Sequence, residues 1–527
     1  MSEPPAGISN IETTSSPSVR MSIAAIATVT IVTAVLMVHR LGAADVCSGN
    51  EAVEGVFVQQ MVEHGKMLFP LENGRIPMYK PPLFHWTAAT IDRVAGITKV
   101  TAANLRYPSA LYATAGALLT MIFAYGILRL DGAILAGLAL AGSYQYVSQG
   151  RFGRVDMTLT FFETLALMSF MWWLPRTIDP ARGGTASLRE QWSLYVVALA
   201  MGLAVLAKGP VGTIIPGLAI VIFMAVEKRA AQILAMLQPG PVILGAAVAS
   251  SWYLACYFGG RYGFLDRQLG AENLGRFIGT LGTMAPWYYA KPLFLNSAPL
   301  SILVPIAVVT AIASKRDRSS ESDAGNNSRL ESERARLSVR LFAIFWLVTV
   351  AFFTVAAYKR RAYLLPIWPA SAVMLSWWIK SFGSSRLFAA RRWARLAKWG
   401  FAAMCCALIV FNFIYLPHKE VKECAGDSFR PAAEEIERVV SAGEPLYVFG
   451  FNEELAPLLF YLDRDAPVLE GRLGDAPPGY VIVPAAVWKA HQGEALDLEP
   501  VLTSEHGGRS LVLLKRGKSY ASARQLH

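Results

Sequence analysis

Eleven apolar runs of about 16 to 23 residues, separated by short basic or Gly/Pro-containing breaks, dominate this sequence. They fall near 21–39, 107–128, 132–149, 157–174, 191–207, 210–226, 238–259, 298–314, 338–357, 362–379 and 399–416. A helix needs about 20 apolar residues to cross a hydrocarbon core of ~30 Å, and only helices or closed barrels satisfy every backbone polar group there. The chain is therefore expected to be a polytopic α-helical membrane protein. With 54% hydrophobic and 17% charged residues among 527, it is not built as an ordinary soluble enzyme. A formal charge of +11 would suit nucleic acid. The cations sit between apolar runs, however, where they serve as orientation signals, so no nucleic-acid partner is expected.

A shorter run at 82–97, interrupted by His85 and by Asp92 and Arg93, decides the topology. If it lies in the interface as an amphipathic helix and residue 20 is cytoplasmic, the inner loops are 129–131, 175–190, 227–237, 315–337 and 380–398. These loops carry Arg176, Arg182, Arg189, Lys228, Arg229, Lys315, Arg316, Arg318 and the cluster from Lys380 to Lys398, as the positive-inside rule requires. The outer face then gathers the 40–106 loop, residues 148–156, the Lys208-Gly209-Pro210 turn, the 260–297 loop, the Lys359-Arg360-Arg361 turn and everything after 417. Residues 1–20 read as a flexible cytoplasmic tail, 21–417 as the membrane module and 418–527 as a small extracytoplasmic α/β domain. In that domain, strand-like segments at 445–450, 479–484 and 510–517 surround a helical stretch at 453–461. It suits a lid or a partner-recognition surface.

The polar residues of interest lie in the outer loops. NEAVEGVFVQQMVEHG, residues 50–65, reads as a helix with Glu51 near its start, and Glu54 and Glu63 fit a solvated face. A carboxylate just outside a membrane can act as a general base or stabilise a cationic sugar centre, and Glu51 is the candidate; at a helix start it also meets the dipole. Asp156, opening another span, caps that helix or orients a reacting group. In MYKPPLFHW, Pro81 and Pro82 hold Tyr79 and Lys80 extended, which makes Lys80 a candidate phosphate clamp. Tyr79, His85 and Trp86 line a pocket or anchor the interface. Lys208, Lys359, Arg360 and Arg361 are cations on the face where topology does not call for them, and an anionic ligand supplies a reason; snorkelling to headgroups is the alternative. Of the five cysteines, Cys405 and Cys406 lie within a span, while Cys47 and Cys424 both fall on the oxidising side, where a pair is permitted.

These motifs resemble those of the membrane glycosyltransferases that use polyprenyl-phosphate sugars, the superfamily of aminoarabinose lipid A transferases and dolichyl-phosphate-mannose protein mannosyltransferases. The similarity runs over about residues 20 to 417 and rests on NEAVEGVFVQQM, KPPLFHW, Arg106 in LRYPSAL, GRVDMTLTFF, LAKGP, ENLGRF, PWYYAKPLF and YKRRAYLLPIWP, in that order. It implies a GT-C type bundle in a bacterial inner membrane, with the active site and terminal domain outside. It further implies inverting transfer of a sugar from a polyprenyl phosphate to a lipid, glycan or protein acceptor. Glu51 and Asp156 become the catalytic candidates, and Asn50, Tyr79, Lys80, His85, Arg106, Lys208, Lys359, Arg360, Arg361 and Tyr363 the substrate-binding ones. The chain departs from the family at Asn50, where the presumed catalytic aspartate usually stands, with Asp45 only a distant substitute. Tyr79 replaces a glutamate that holds a metal in some aminoarabinose transferases, and Met284 replaces a histidine; both argue against a bound divalent metal, and no cofactor is expected. A transporter, flippase or idle scaffold is the competing class, but the internal repeats and deep intramembrane charges of a transporter are not evident.

Overall fold

The computed structural model describes residues 18–72, 76–174, 188–314, 326–381, 391–451, 455–495, 497–506 and 509–516. Most of the amino-terminal tail, the 176–182 and 315–318 cations and the GFNEE acidic pair lie outside them. The membrane module contains α1 (Val19–Val38), α2 (Gly49–Val62), α3 (Leu83–Val94), α4 (Ala102–Gly142), α5 (Tyr144–Gly150), α6 (Val155–Trp173), α7 (Leu188–Lys208) and α8 (Val211–Val226). It continues with α9 (Pro239–Phe258), α10 (Leu300–Ala313), α11 (Asn326–Val355), α12 (Ile367–Ser381) and α13 (Arg391–Cys424). All eleven apolar runs fall on these helices. Five of them, α1, α4, α9, α11 and α13, are individually long and apolar enough to cross a membrane, six if the pair Pro286–Leu295 and Leu300–Ala313, bent by 108°, counts as one.

A straight helix of 41 residues would run about 60 Å, twice the core thickness. α4 instead breaks at Arg129, whose φ is 62°. Its two halves return to the same end of the bundle: Arg106 in the first and Arg151 just after the second both bind carbonyls between Leu36 and Asp45. The opposite end collects Lys380 and Lys398 on Asp131, Arg129 on Glu331, and Arg336 and Arg340 on Glu227. Among the described residues, the ion pairs of the expected inner loops thus lie at the end opposite Arg106 and Arg151.

α3 has 12 residues, too few to span. Phe84, His85, Ala88, Ala89 and Asp92 form its buried side, and the Trp86 indole donates to the Met67 carbonyl. α2 was expected to show a solvated face, but ten of its residues are buried, Glu51 and Glu54 among them. The reason is the carboxy-terminal domain, which lies over it. Gln59 donates to the Phe460 carbonyl, Tyr461 accepts from the Val46 amide, and α2 shares one apolar core with Phe429, Ile436 and Leu458. Only Glu63, at the helix end, is exposed as expected.

After a short pairing of β1 (Leu71–Glu72) with β2 (Ile76–Pro77) in the first loop, the terminal domain holds the remaining strands, α14 (Arg430–Val439) and α15 (Ala456–Tyr461). The strands β3 (Leu446–Phe449), β4 (Val468–Leu469), β5 (Gly479–Pro484), β6 (Leu498–His506) and β7 (Arg509–Arg516) form a mixed sheet in the order β4-β3-β5-β7-β6. β3, β5 and β7 match the three expected strands. β6 was not foreseen because LEPVLTSEH is polar and contains Pro500, which sits at a register shift on the sheet edge, where proline is tolerated. Cys47 and Cys424 form a disulfide, with Cα atoms 5.8 Å apart.

Two outcomes follow. Burial pushes the Asp92 carboxyl up to about 6 against a weaker opposing hydrogen bond from Asn104. A folded-state value above the unfolded one gives stability that is complete below the unfolded value and lost as pH rises toward 6. Asp92→Asn should therefore raise the thermal midpoint at pH 7.5 and lose that advantage near pH 4. Second, a cysteine replacing exposed Thr90 should react with an impermeant thiol reagent from the same side as one at Lys489, and from the side opposite one at Arg229.

Candidate functional site

The polar end of the bundle is organised by two arginines. Arg106 donates Nε and Nη2 to the two oxygens of Glu51 at 2.8 and 2.9 Å, and its remaining N–H groups reach the carbonyls of Leu41, Ala44 and Asp45. Arg151 repeats the pattern on Glu420, at 2.9 and 2.8 Å, and on the carbonyls of Leu36, Met37 and His39. A guanidinium has five N–H donors, so Arg106 has none left for a substrate phosphate. Here it holds Glu51 and the chain leaving α1. Glu51 also accepts from the Gly153 amide at 2.8 Å. Gly153 permits this approach: a Cβ there would stand 2.6 Å from Leu105 and 3.2 Å from the Glu51 carboxylate.

A second carboxylate lies one turn along α2. Glu54 is fully buried, with His85 Nε2 at 2.7 Å and the Tyr79 hydroxyl donating at 3.1 Å. Its expected solvation is therefore wrong, and His85, completely enclosed, lines neither cavity at this end. The Tyr79 ring faces Lys80 Nζ at 4.8 Å and Arg267 at 5.6 Å.

Lys80 leads into the most cationic region. Its ammonium meets Glu272 at 2.7 Å, and Arg276 meets the same carboxylate at 2.7 Å. Arg276 also donates to the Tyr363 hydroxyl at 3.2 Å, and the Tyr363 ring carries Lys208 Nζ at 4.4 Å. Lys208 in turn bonds Asp156, with Arg154 at 3.5 Å on its other oxygen. The turn that delivers Lys208 needs Gly209, at φ 92° with Gln268 against it. Arg360 donates to Asn50 Oδ1 at 2.5 Å and to the Tyr358 hydroxyl. Four cations, Lys80, Arg154, Lys208 and Arg276, therefore crowd around Glu272 and Asp156, with Arg360 nearby at Tyr358.

Charge repartitions accordingly. Burial would raise the Glu272 carboxyl, but Lys80 and Arg276 outweigh it and hold the group down at about 2. Burial also lowers Lys80, against the opposing pull of Glu272. At Tyr363, burial raises the phenol, yet Lys208, Arg276, Lys80 and Arg360 together bring it below its ordinary value. The region favours an additional anion.

Two cavities open at this end. One of about 280 Å³ is lined by Lys80, Lys208, Glu272, Arg276, Tyr358 and Tyr363, with Ile214, Leu274, Phe352 and Phe353 as apolar walls. The other, about 350 Å³, is lined by Glu51, Gln145, Gln149, Asn296, Arg361 and Lys419 among others. The bonded pair Asn50 and Arg360 lines neither. Lys359 is also absent from both, because its buried ammonium donates to the carbonyls of Met284 and Ala356. The cationic turn is thus divided: Lys359 holds backbone, Arg360 holds Asn50, and Arg361 faces the second cavity. Sequence reasoning passed over Glu54, Glu272, Arg276 and Tyr358. The ENLGRF motif carried a usable signal in the i,i+4 spacing of Glu272 and Arg276. Among the described residues no three His, Cys, Asp or Glu side chains converge as metal ligands, and Glu272 beside Lys80 is already paired with Lys80 and Arg276. The residues present do not fit a metal.

A family model for dolichyl-phosphate-mannose-protein mannosyltransferase matches residues 27–257. An uncharacterised protein of Aquifex aeolicus is 24% identical over 66% of this chain and 62% of its own length. An undecaprenyl phosphate-alpha-4-amino-4-deoxy-L-arabinose arabinosyl transferase of Pseudomonas savastanoi is 26% identical over 58% of this chain and 52% of its own. The chain thus spans roughly half to three-fifths of these curated relatives. The crystal structure of ArnT from Cupriavidus metallidurans bound to undecaprenyl phosphate superposes with a TM-score of 0.73 at 17% identity, covering 94% of this chain and 98% of that one. The chain shares the fold of that structure, a polytopic helical bundle with a carboxy-terminal α/β domain.

Replacing one partner of a buried ion pair costs about 3–5 kcal/mol. Glu51→Gln should therefore lower the thermal midpoint in detergent along with any activity, and Arg106→Gln should do the same. An unshifted midpoint with turnover abolished would instead restore Glu51 as a catalytic base.

Proposed function

We propose that this chain transfers a sugar from a polyprenyl-phosphate donor to an anionic acceptor oxygen at the extracytoplasmic face of a bacterial inner membrane. This places it with the aminoarabinose-transferring branch rather than with protein O-mannosylation. The observation that carries the reading is that the carboxylates lining the two cavities each already meet a cation: Glu272 meets Lys80 and Arg276 in the smaller, and Glu51, Asp45, Glu420 and Glu423 meet Arg106, Arg430, Arg151 and Lys419 in the larger. Asn50 accepts no proton. A neutral hydroxyl would need a base to attack, whereas a phosphate oxygen arrives ionised.

The smaller cavity suits the donor. Its cations meet the phosphate, and its apolar wall accommodates the start of the prenyl chain. The sugar's anomeric carbon then lies toward the second cavity, from which the acceptor attacks. The new C–O bond forms as the bond to the polyprenyl phosphate breaks, with inversion, and the departing phosphate takes the electron pair. Lys80, Lys208 and Arg276 neutralise its growing charge, with Tyr363 holding the latter two in place. Glu51 and Asp156 act through the cations they hold. Orientation follows from the basic loops at the opposite end, which the positive-inside rule assigns to the cytoplasm, and from the disulfide, which needs an oxidising compartment.

The test is reconstitution into liposomes with a set of polyprenyl-phosphate sugars and three acceptors: a phosphorylated glycolipid, the same lipid dephosphorylated, and a Ser/Thr peptide. Transfer is expected to the first alone, with an acid limb that follows the acceptor phosphate's second ionisation near ~6. Glycosylation of the peptide would overturn the branch assignment. Lys80→Ala and Arg276→Ala should each raise the donor KM about tenfold or more and leave the acceptor KM within about twofold; a charge-assisted contact of about 1.5–3 kcal/mol sets that scale.

A further inference from the structure

The largest of the cavities described lies at the other end of the bundle. It measures about 1240 Å³ and lies between α1, α4 and α13. On α13 it is lined by Arg395, Lys398, Trp399, Ala402 and Cys406, a helical spacing that puts these positions on one face. On α4 the lining runs from Tyr125 to Leu138, on both sides of the break at Arg129.

The chemistry changes along its length in one direction. Arg129, Arg395 and Lys398 stand at the rim with Asp131 and Glu331, and Ile134, Leu135, Leu138, Ala402 and Cys406 lie below. At 1.5 Å per residue, the drop from Arg395 to Cys406 is about 16 Å, half of a ~30 Å hydrocarbon core. The groove therefore has the depth of one leaflet, with its charges confined to headgroup level. Trp399 is 71% exposed and Tyr125 40%, as fits aromatic residues at a membrane interface.

The rim holds more positive than negative charge. Asp131 is already bound by both Lys380 and Lys398, and Glu331 by Arg129. Arg395 is exposed and has no carboxylate partner among the described residues. Arg129 reaches the rim from a strained backbone, φ 62° in a residue other than glycine, at the break of α4. Such strain persists where the surroundings fix it and clusters at ligand sites.

We propose that this groove is a binding site for an anionic glycerophospholipid of the leaflet opposite the transfer site, with its phosphate at Arg395 and Arg129 and its acyl chains along α4 and α13. Basic pockets between membrane helices on the cytoplasmic side recognise such headgroups. The site is separate from the donor cavity and does not depend on the proposed transfer reaction.

The experiment uses the full chain, delipidated in detergent and titrated with dioleoyl phosphatidylglycerol, dioleoyl phosphatidylcholine or inorganic phosphate, read by native mass spectrometry and thermal midpoint. Phosphatidylglycerol should bind at least tenfold more tightly than phosphatidylcholine and raise the midpoint, while inorganic phosphate should neither bind nor compete. Arg395→Gln, at an exposed and unpaired position, should reduce that preference about fivefold or more while leaving the lipid-free midpoint unchanged. Leu138→Trp should block acyl occupancy with the rim intact. Equal binding of the two lipids, or an unaltered preference in Arg395→Gln, would overturn the proposal. So would competition by inorganic phosphate, which would make the rim a free-anion site, or dimerisation that buries the groove in the lipid-free protein.

Discussion

The bidentate contact of Arg106 with Glu51 is the interaction on which the transfer end of the molecule depends. It joins the first turn of α2 to the first half of α4, and through three carbonyls it fixes the chain leaving α1. Everything built on α2 inherits that position: the Glu54, His85 and Tyr79 cluster, the extended segment that delivers Lys80, and the terminal domain packed through Phe460. A buried ion pair of this kind is weak evidence for net stability, because desolvation offsets most of the attraction. It is strong evidence for geometry, since neither partner can leave without exposing the other's charge to an apolar surround.

The same rule governs the rest of the site. Glu51, Asp156 and Glu272 are each held by at least one cation, and these cations outnumber them. An arrangement of this kind stabilises an incoming anion without reorganising, because its donors are already oriented by internal acceptors. It also limits the chemistry, since a carboxylate engaged with a guanidinium or ammonium is a poor proton acceptor. Asn50, bonded to Arg360, adds a neutral acceptor rather than a further charge.

The fold was largely legible in the sequence because span length and the side on which cations accumulate are one-dimensional properties. All eleven apolar runs are helical, the 82–97 segment is too short to span, and three of the terminal strands fall where alternation placed them. The site was legible only in part. The motifs containing Lys80, Asp156, Lys208 and Tyr363 were recognisable, and these residues do converge. What the sequence could not show is where each charge points. Arg106 and Lys359 resemble ligand-binding cations in one dimension, yet Arg106 is engaged by Glu51 and three carbonyls of the chain after α1, and Lys359 by the carbonyls of Met284 and Ala356. Glu54 looked solvated because the groups that enclose it, Tyr79 and His85, come from beyond its own helix, 25 and 31 residues along the chain.

The bond between Cys47 and Cys424 joins positions separated by 377 residues, one just after the first span and the other at the end of the last. The second cysteine reaches the first only after every intervening helix has been inserted with the correct sense, because one span in the wrong orientation would leave Cys424 across the bilayer. The covalent state of this pair is thus a record of assembly history. An oxidised molecule is one in which the chain after the last span has come to lie against the chain leaving the first.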